Sequence, residues 1–203
     1  MKNLRLGIIL LLSSSVAVAS TVGVSTHPFG MQQKRIFTTE FNSYFSNGSG
    51  MGLNAKYLHK LNRQVTLDAG FGISDGDRAS RLTIGSDLEL IPDYAKQPRV
   101  SLKGILETEN IDGDRINTFG IAPTVSKGFS FNGTEAFPFL AMPVKVHLNQ
   151  DTNKHETSTA LATGVTGRLP IAGYENLVGN VEANFSFKNS YTALIMGISL
   201  PIQ

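Results

Sequence analysis

The sequence predicts an all-β fold, an antiparallel up-and-down closed β-barrel of ten strands, with eight as the other possible count. Three observations predict it. Apolar and polar residues alternate along most of the chain after residue 34, the period of strands with one apolar and one polar face. The alternating runs are about ten residues long, the 9–11 needed to cross a bilayer as tilted strands and longer than the five or six usual in a soluble sheet. Clusters of Gly, Asn, Asp and Pro separate the runs and supply turns.

Residues 64–91 carry the pattern most clearly. Val65, Leu67, Ala69, Phe71 and Ile73 alternate with Thr66, Asp68, Gly70, Gly72 and Ser74. After the turn DGDRA, Leu82, Ile84, Leu88 and Leu90 alternate with Thr83, Gly85, Asp87 and Glu89. The rest of the chain repeats this unit.

The N-terminus indicates where such strands are needed. Lys2 and Arg5 precede an apolar run from Leu6 to Leu12, and SSSVAVAS places Ala17 and Ala19 at the small positions before a cleavage site. These features predict a secretory signal peptide over residues 1–19, a lead-in over 20–33 and a barrel domain over 34–203. His27, Pro28 and Gly30 argue against a long strand in the lead-in. The chain has 18 Lys and Arg against 16 Asp and Glu; removing Lys2 and Arg5 with the leader leaves a formal balance of zero. A nucleic-acid partner would need a clustered basic excess, so none is expected. There is no cysteine, which excludes disulfides and thiolate sites. After the leader no apolar stretch is long enough for a spanning helix, so a membrane crossing requires a closed barrel.

The strands follow in order. Phe37, Thr39, Phe41, Ser43 and Phe45 share the apolar face of the first, and the turn SNGSG reverses it. Leu53, Ala55, Tyr57, His59 and Leu61 share a face of the second, opposite Asn54, Lys56, Leu58 and Lys60. After the third and fourth strands described above, PDYAKQP forms a polar bend. Val100, Leu102, Gly104, Leu106 and Thr108 then oppose Ser101, Lys103, Ile105, Glu107 and Glu109. Asn117, Phe119, Ile121 and Val125 mark the sixth strand, and KGFSFNGTE reads as a looser connection. In the seventh, Leu140, Met142, Val144, Val146 and Leu148 share a face, while Pro143 marks a bulge or distortion. Thr157, Thr159, Leu161, Val165 and Leu169 belong to the eighth, and Leu177, Val181, Ala183, Phe185 and Phe187 to the ninth. Thr192, Leu194, Met196, Ile198, Leu200 and Ile202 define the last.

An even number of strands closes with both termini on one side and no exposed edge. With the apolar faces toward lipid, the bore receives Glu40, Asp68, Asp87, Glu89, Glu107 and Glu182 against Lys56, Lys60, Lys103, Lys145, Arg168 and Lys188. Six acids against six bases suit an internal network of ion pairs better than a selectivity ring of one sign. Two copies of DGDR, Asp75, Gly76, Asp77, Arg78 and Asp112, Gly113, Asp114, Arg115, are expected as turns on one external rim. They are shorter than a helix-loop-helix calcium loop and lack its downstream glutamate, and Asp-Gly already explains a turn. Phe37, Phe45, Tyr57, Phe129, Phe131, Phe187 and Tyr191 are candidates for aromatic girdles at the membrane interfaces.

The signal peptide, the Gly-rich alternating strands and the terminal strand resemble the small bacterial outer-membrane β-barrel proteins over residues 34–202. Members of that group usually end on or beside an aromatic residue, whereas this chain ends SLPIQ. The resemblance implies a Gram-negative outer-membrane location, with outer-membrane lipid and the barrel-assembly machinery as partners, and a monomer. The expected role is structural or narrow, porin-like passive transport through a mostly filled bore. One alternative is a soluble periplasmic or secreted barrel, apolar faces inward, carrying a small apolar ligand. The other is an outer-membrane lipid hydrolase.

For the hydrolase, only His27, His59, His147 and His155 can act as base. His147 with Ser158 and Glu156 forms a triad only if their strands pair across the polar turn between them. Asp75, Asp77 and His155 as a water-activating group would require a proximity that no interval establishes. No metal-ligand spacing or phosphate loop is present, so no cofactor is expected, and a structural or solvated role for the histidines is the reading preferred here.

Overall fold

The computed structural model describes residues 34–46, 50–75, 78–111, 113–131, 134–152, 154–169, 171 and 176–202. The expected leader and lead-in lie outside the described residues, as do Gly76, Asp77 and Asp112 of the DGDR turns.

Twelve strands form: β1 (Arg35–Tyr44), β2 (Gly50–Lys60), β3 (Val65–Ser74), β4 (Arg78–Ile91), β5 (Arg99–Ile111), β6 (Asp114–Ser126), β7 (Phe129–Phe131), β8 (Thr134–Ala141), β9 (Val144–Asn149), β10 (Lys154–Arg168), β11 (Val178–Lys188) and β12 (Ala193–Ile202). They make ten staves, because β6 with β7 and β8 with β9 each form one interrupted stave. Every pairing is antiparallel between neighbours in the chain, and β12 closes on β1 with Arg35 opposite Ile202. The result is the closed ten-stranded antiparallel barrel that the alternation predicts.

Two interruptions differ from expectation. Phe129–Phe131, read from the sequence as connection, continues the β6 stave, pairing β8 in the same register as β6 does. Two residues, Lys127 and Gly128, separate the pieces, which leaves too short a run of alternation to recognise. At Pro143 there is no bulge. Val144 lies opposite Ile121 and Thr159, and Ala141 opposite Thr124 and Ala162, so the register is unchanged across the break.

The faces separate by polarity in the sense of a membrane barrel. Phe71, Ile84, Leu106, Phe119 and Ile198 point outward and are 48–54% exposed. Glu40, Asp68, Lys103 and Glu182 point inward and are 6% exposed or less. A soluble barrel carrier needs the reverse arrangement, and a continuous apolar exterior of this extent is stable only in hydrocarbon. Strands of ten or more residues, tilted by about 40° at roughly 3.3 Å per residue, span an apolar band about 25 Å tall.

The bore is packed by a cross-strand rule. Five of the long inward side chains each lie over a glycine directly opposite: Lys56 over Gly70, Arg81 over Gly72, Asp68 over Gly85, Lys145 over Gly120 and Glu40 over Gly197. A Cβ at any of these glycines would come within 3.0 Å of the side chain facing it. The glycines that give the sequence its alternation of small and polar residues therefore make room for the charges.

Candidate functional site

Buried polar side chains concentrate in the bore, which divides into three levels. Nearest the terminal end, the Arg99 guanidinium sits between two carboxylates of β4, 2.5 Å from Asp87 Oδ2 and 3.0 Å from Glu89 Oε2, and also donates to Ser101 Oγ at 3.0 Å. Asp87 and Glu89 are successive inward positions on β4, so one planar fork at the start of the adjacent strand reaches both. At mid-height Lys56 pairs with Glu40 at 2.7 Å and Lys103 lies 3.7 Å from Asp68. Glu182, fully buried, accepts from Asn184 Nδ2 at 2.8 Å.

The far end carries the third level. Arg81 donates to Tyr44 Oη at 2.6 Å and Ser74 Oγ at 2.8 Å, and Tyr44 packs edge-on against Tyr191 at 5.9 Å. Glu107, Glu109 and Lys145 are buried within electrostatic range of this group. Tyr191, a girdle candidate in the sequence, is thus buried at the far end of the bore, because Tyr44 at the end of β1 points inward and supplies a ring to pack on.

His147 is the centre of a separate cluster. Its Nδ1 lies 2.7 Å from Thr118 Oγ1 and its Nε2 lies 2.6 Å from Ser158 Oγ, tying β6, β9 and β10 together. The strands therefore bring His147 and Ser158 together. Glu156 sits opposite His147 in the ladder, but the Nδ1 position a triad reserves for a carboxylate is taken by Thr118. His147 and Ser158 are 2% and 3% exposed, so the pair has no open position for an acyl group beside the hydroxyl, and nucleophilic catalysis needs one. The arrangement serves as a three-strand clamp.

The remaining predicted residues are placed as follows. Lys60 is half-buried at the terminal end. Arg168 and Lys188, expected in the bore, are exposed at opposite ends of the barrel because each is the last residue of its strand. Arg168 pairs there with Glu135 at 3.3 Å, both sides well exposed. Of the DGDR segments, Asp75 and Arg78, and Gly113, Asp114 and Arg115, fall at the end away from the termini. Asp75 accepts from the Met51 backbone at 2.5 Å, and Gly113 takes a φ of 91°, the conformation that suits glycine in a tight turn. Asp114 accepts from Asn149 Nδ2 at 2.9 Å, and the Arg115 backbone donates to Asp151 Oδ2 at 2.8 Å. Of Arg78 only the backbone is described. Among the described residues no three His, Asp or Glu side chains gather as metal ligands.

No protein-family model matches the chain, and no curated protein matches it in sequence. Solved structures do share its outline. A de novo designed transmembrane β-barrel aligns over 85% of this chain and 98% of its own, at 13% identity and a TM-score of 0.42. Ail, the attachment invasion locus protein of Yersinia pestis, solved with the heparin analogue sucrose octasulfate, aligns over 81% of this chain and 93% of its own, at 11% identity and a TM-score of 0.29. These are likenesses of architecture, and the placement of this barrel rests on its own surfaces.

Three buried charges are missing from the bore set expected from the sequence. Arg81 is the fourth residue of β4, Arg99 the first of β5 directly after a proline, and Glu109, though on the polar face by alternation, stands near the end of β5. Parity was the available signal: each is an even number of residues from an inward neighbour, Thr83, Ser101 or Glu107. With them counted, and Arg168, Lys188 and the half-buried Lys60 set aside, the described bore buries seven acids and five Lys or Arg. The even balance expected from sequence becomes an acidic excess.

Proposed function

We propose that this protein is an outer-membrane β-barrel of structural role whose bore is filled rather than open, delivered by a cleaved signal peptide and inserted by the barrel-assembly machinery. The observation that carries the reading is the polarity of the wall. Large apolar side chains cover the outside while buried, mutually paired charges fill the inside. Glu40, Lys56, Asp68, Lys103, Glu107, Lys145 and Glu182 are all buried, so steady passage of solutes along the axis has no room. The signal-peptide pattern at residues 1–19 supports export, and closed barrels of exported chains belong to the outer membrane.

Cell fractionation tests it. The processed chain is expected with the outer membrane after separation from the inner membrane, with a tag at Gln203 reached by protease only once the periplasm is opened. Recovery of the processed chain in the soluble periplasm would overturn the placement.

A further inference from the structure

We propose that the barrel wall opens sideways at the break between β8 and β9, connecting the bilayer core to an alanine-lined patch of the bore; this goes beyond the structural role and holds for a bore closed along its axis. The argument begins with the ladder. On one side of the break the Met142 N–H donates to Pro123 O at 3.1 Å; on the other the Ala160 N–H donates to Pro143 O at 3.2 Å. In an antiparallel ladder each such pair exchanges two bonds, but Pro123 and Pro143 have no N–H to return. Both rungs beside the break are therefore half-made. Below them Lys127 N–H donates to Pro138 O at 3.1 Å, a third rung that a proline leaves half-made. The unchanged register across Met142–Pro143 means that the neighbouring strands can part from this stave and re-form on it without any shift of pairing.

What lies behind the break differs from the rest of the bore. Ala122, Ala141 and Ala162 pack with Ile105 in a buried apolar cluster, and Ala160 is buried beside them. The ion pairs described above, Lys56 with Glu40, Arg99 with Asp87 and Glu89, and Lys103 with Asp68, join staves β1 to β5. These pairs lie in one half of the barrel, whereas the wall directly behind the break is lined by short alkyl side chains, with the buried Lys145 two residues beyond it. The His147 bonds to Thr118 and Ser158 pin β9 to both neighbours just beyond the break and set the far limit of the opening. The species that fits this opening is an uncharged alkyl chain or apolar solute already dissolved in the membrane.

The absence of cysteine makes the test direct. Ala162→Cys places a thiol inside the wall at the break, and Thr83→Cys places one inside the ion-paired half on β4; both positions are 5% exposed or less. With the full processed chain in liposomes, an N-alkyl maleimide that partitions into the bilayer is expected to modify Ala162→Cys several-fold faster than Thr83→Cys, and faster than a sulfonated, impermeant maleimide does. Adding Pro123→Ala and Pro143→Ala, which supply the missing donors, is expected to slow only the Ala162→Cys reaction. Equal rates at the two cysteines, or indifference to the proline changes, would overturn the proposal. Hydrogen exchange on the unsubstituted chain gives an independent reading: the Met142 and Ala160 amides should exchange faster than those of Leu106 and Thr83, and equal protection would overturn it as well.

Discussion

A charge buried in this bore is stabilised by its partner or not at all, and Arg99 shows the consequence. It neutralises Asp87 and Glu89 together, with 4% of its own side chain exposed. Removing one member of a buried group leaves the others uncompensated, at a cost of about 3–5 kcal/mol. Arg99→Met is therefore expected to lower the stability of the refolded barrel by that amount in urea titration from lipid vesicles. Arg168→Met, which breaks an exposed pair with Glu135, should change it by less than about 1 kcal/mol. The outward face gives the opposite experiment. Ile84 stands at mid-strand with 54% exposure, and Ile84→Arg should cost roughly 2–4 kcal/mol near the bilayer midplane while Ile84→Val is almost silent. Equal tolerance of the two in the same titration would contradict the lipid-facing assignment. Asp87, Glu89 and Ile84 could each be placed from alternation alone. Arg99 could be placed only by carrying the parity of Ser101 one step back, since Pro98 precedes it and nothing before it alternates.

At the level of the strand pair, the repeated motif is a long side chain laid across a glycine. Gly85 lies opposite Asp68, and a Cβ there would stand 2.5–2.7 Å from the Asp68 carboxyl atoms. Gly85→Ala must push that carboxylate aside, loosening a Lys103 contact already at 3.7 Å. Overpacking of this kind costs about 1–3 kcal/mol. Gly104→Ala, on the outer face with only the rotatable Ser86 hydroxyl at 3.0 Å, should cost less, and the two unfolding midpoints compared in one detergent decide the matter. Period two made the strands legible, but it reports which side a residue faces and not what faces it. The pairing of glycine with charge needs the register, and the register is set by turn lengths that the sequence leaves open by a residue or two. The same limit explains β7, where three residues of alternation are too few to outweigh the glycines on either side, and Pro143, where a missing donor and a bulge look alike in sequence.

For the whole molecule the question is whether ten staves enclose a channel. Ten strands give a smaller circumference than the sixteen of a porin, and the inward side chains fill what remains. Arg81, Tyr44 and Tyr191 close the far end, the pairs of Lys56, Lys103 and Arg99 occupy the middle and the terminal end, and each of these residues is 5% exposed or less. That the bore is polar and crowded was legible from the sequence; its sign was not, because the charges that tip the count stand at strand ends. Purified, processed protein in a planar bilayer is therefore expected to show little or no steady conductance. Where brief openings occur, seven buried acids against five Lys or Arg favour cations over anions, by the rule that a wall of excess carboxylate attracts positive counter-ions. Arg81→Ala removes both the Tyr44 hydrogen bond and one of those positive charges, so it should raise the frequency of openings and strengthen the cation preference together, as read from reversal potentials in a salt gradient. Large, reproducible steps from the unsubstituted barrel would contradict a filled bore. A shift toward anions in Arg81→Ala would contradict the acidic excess even if the bore stayed closed, since deleting a cation from this wall cannot make it more positive.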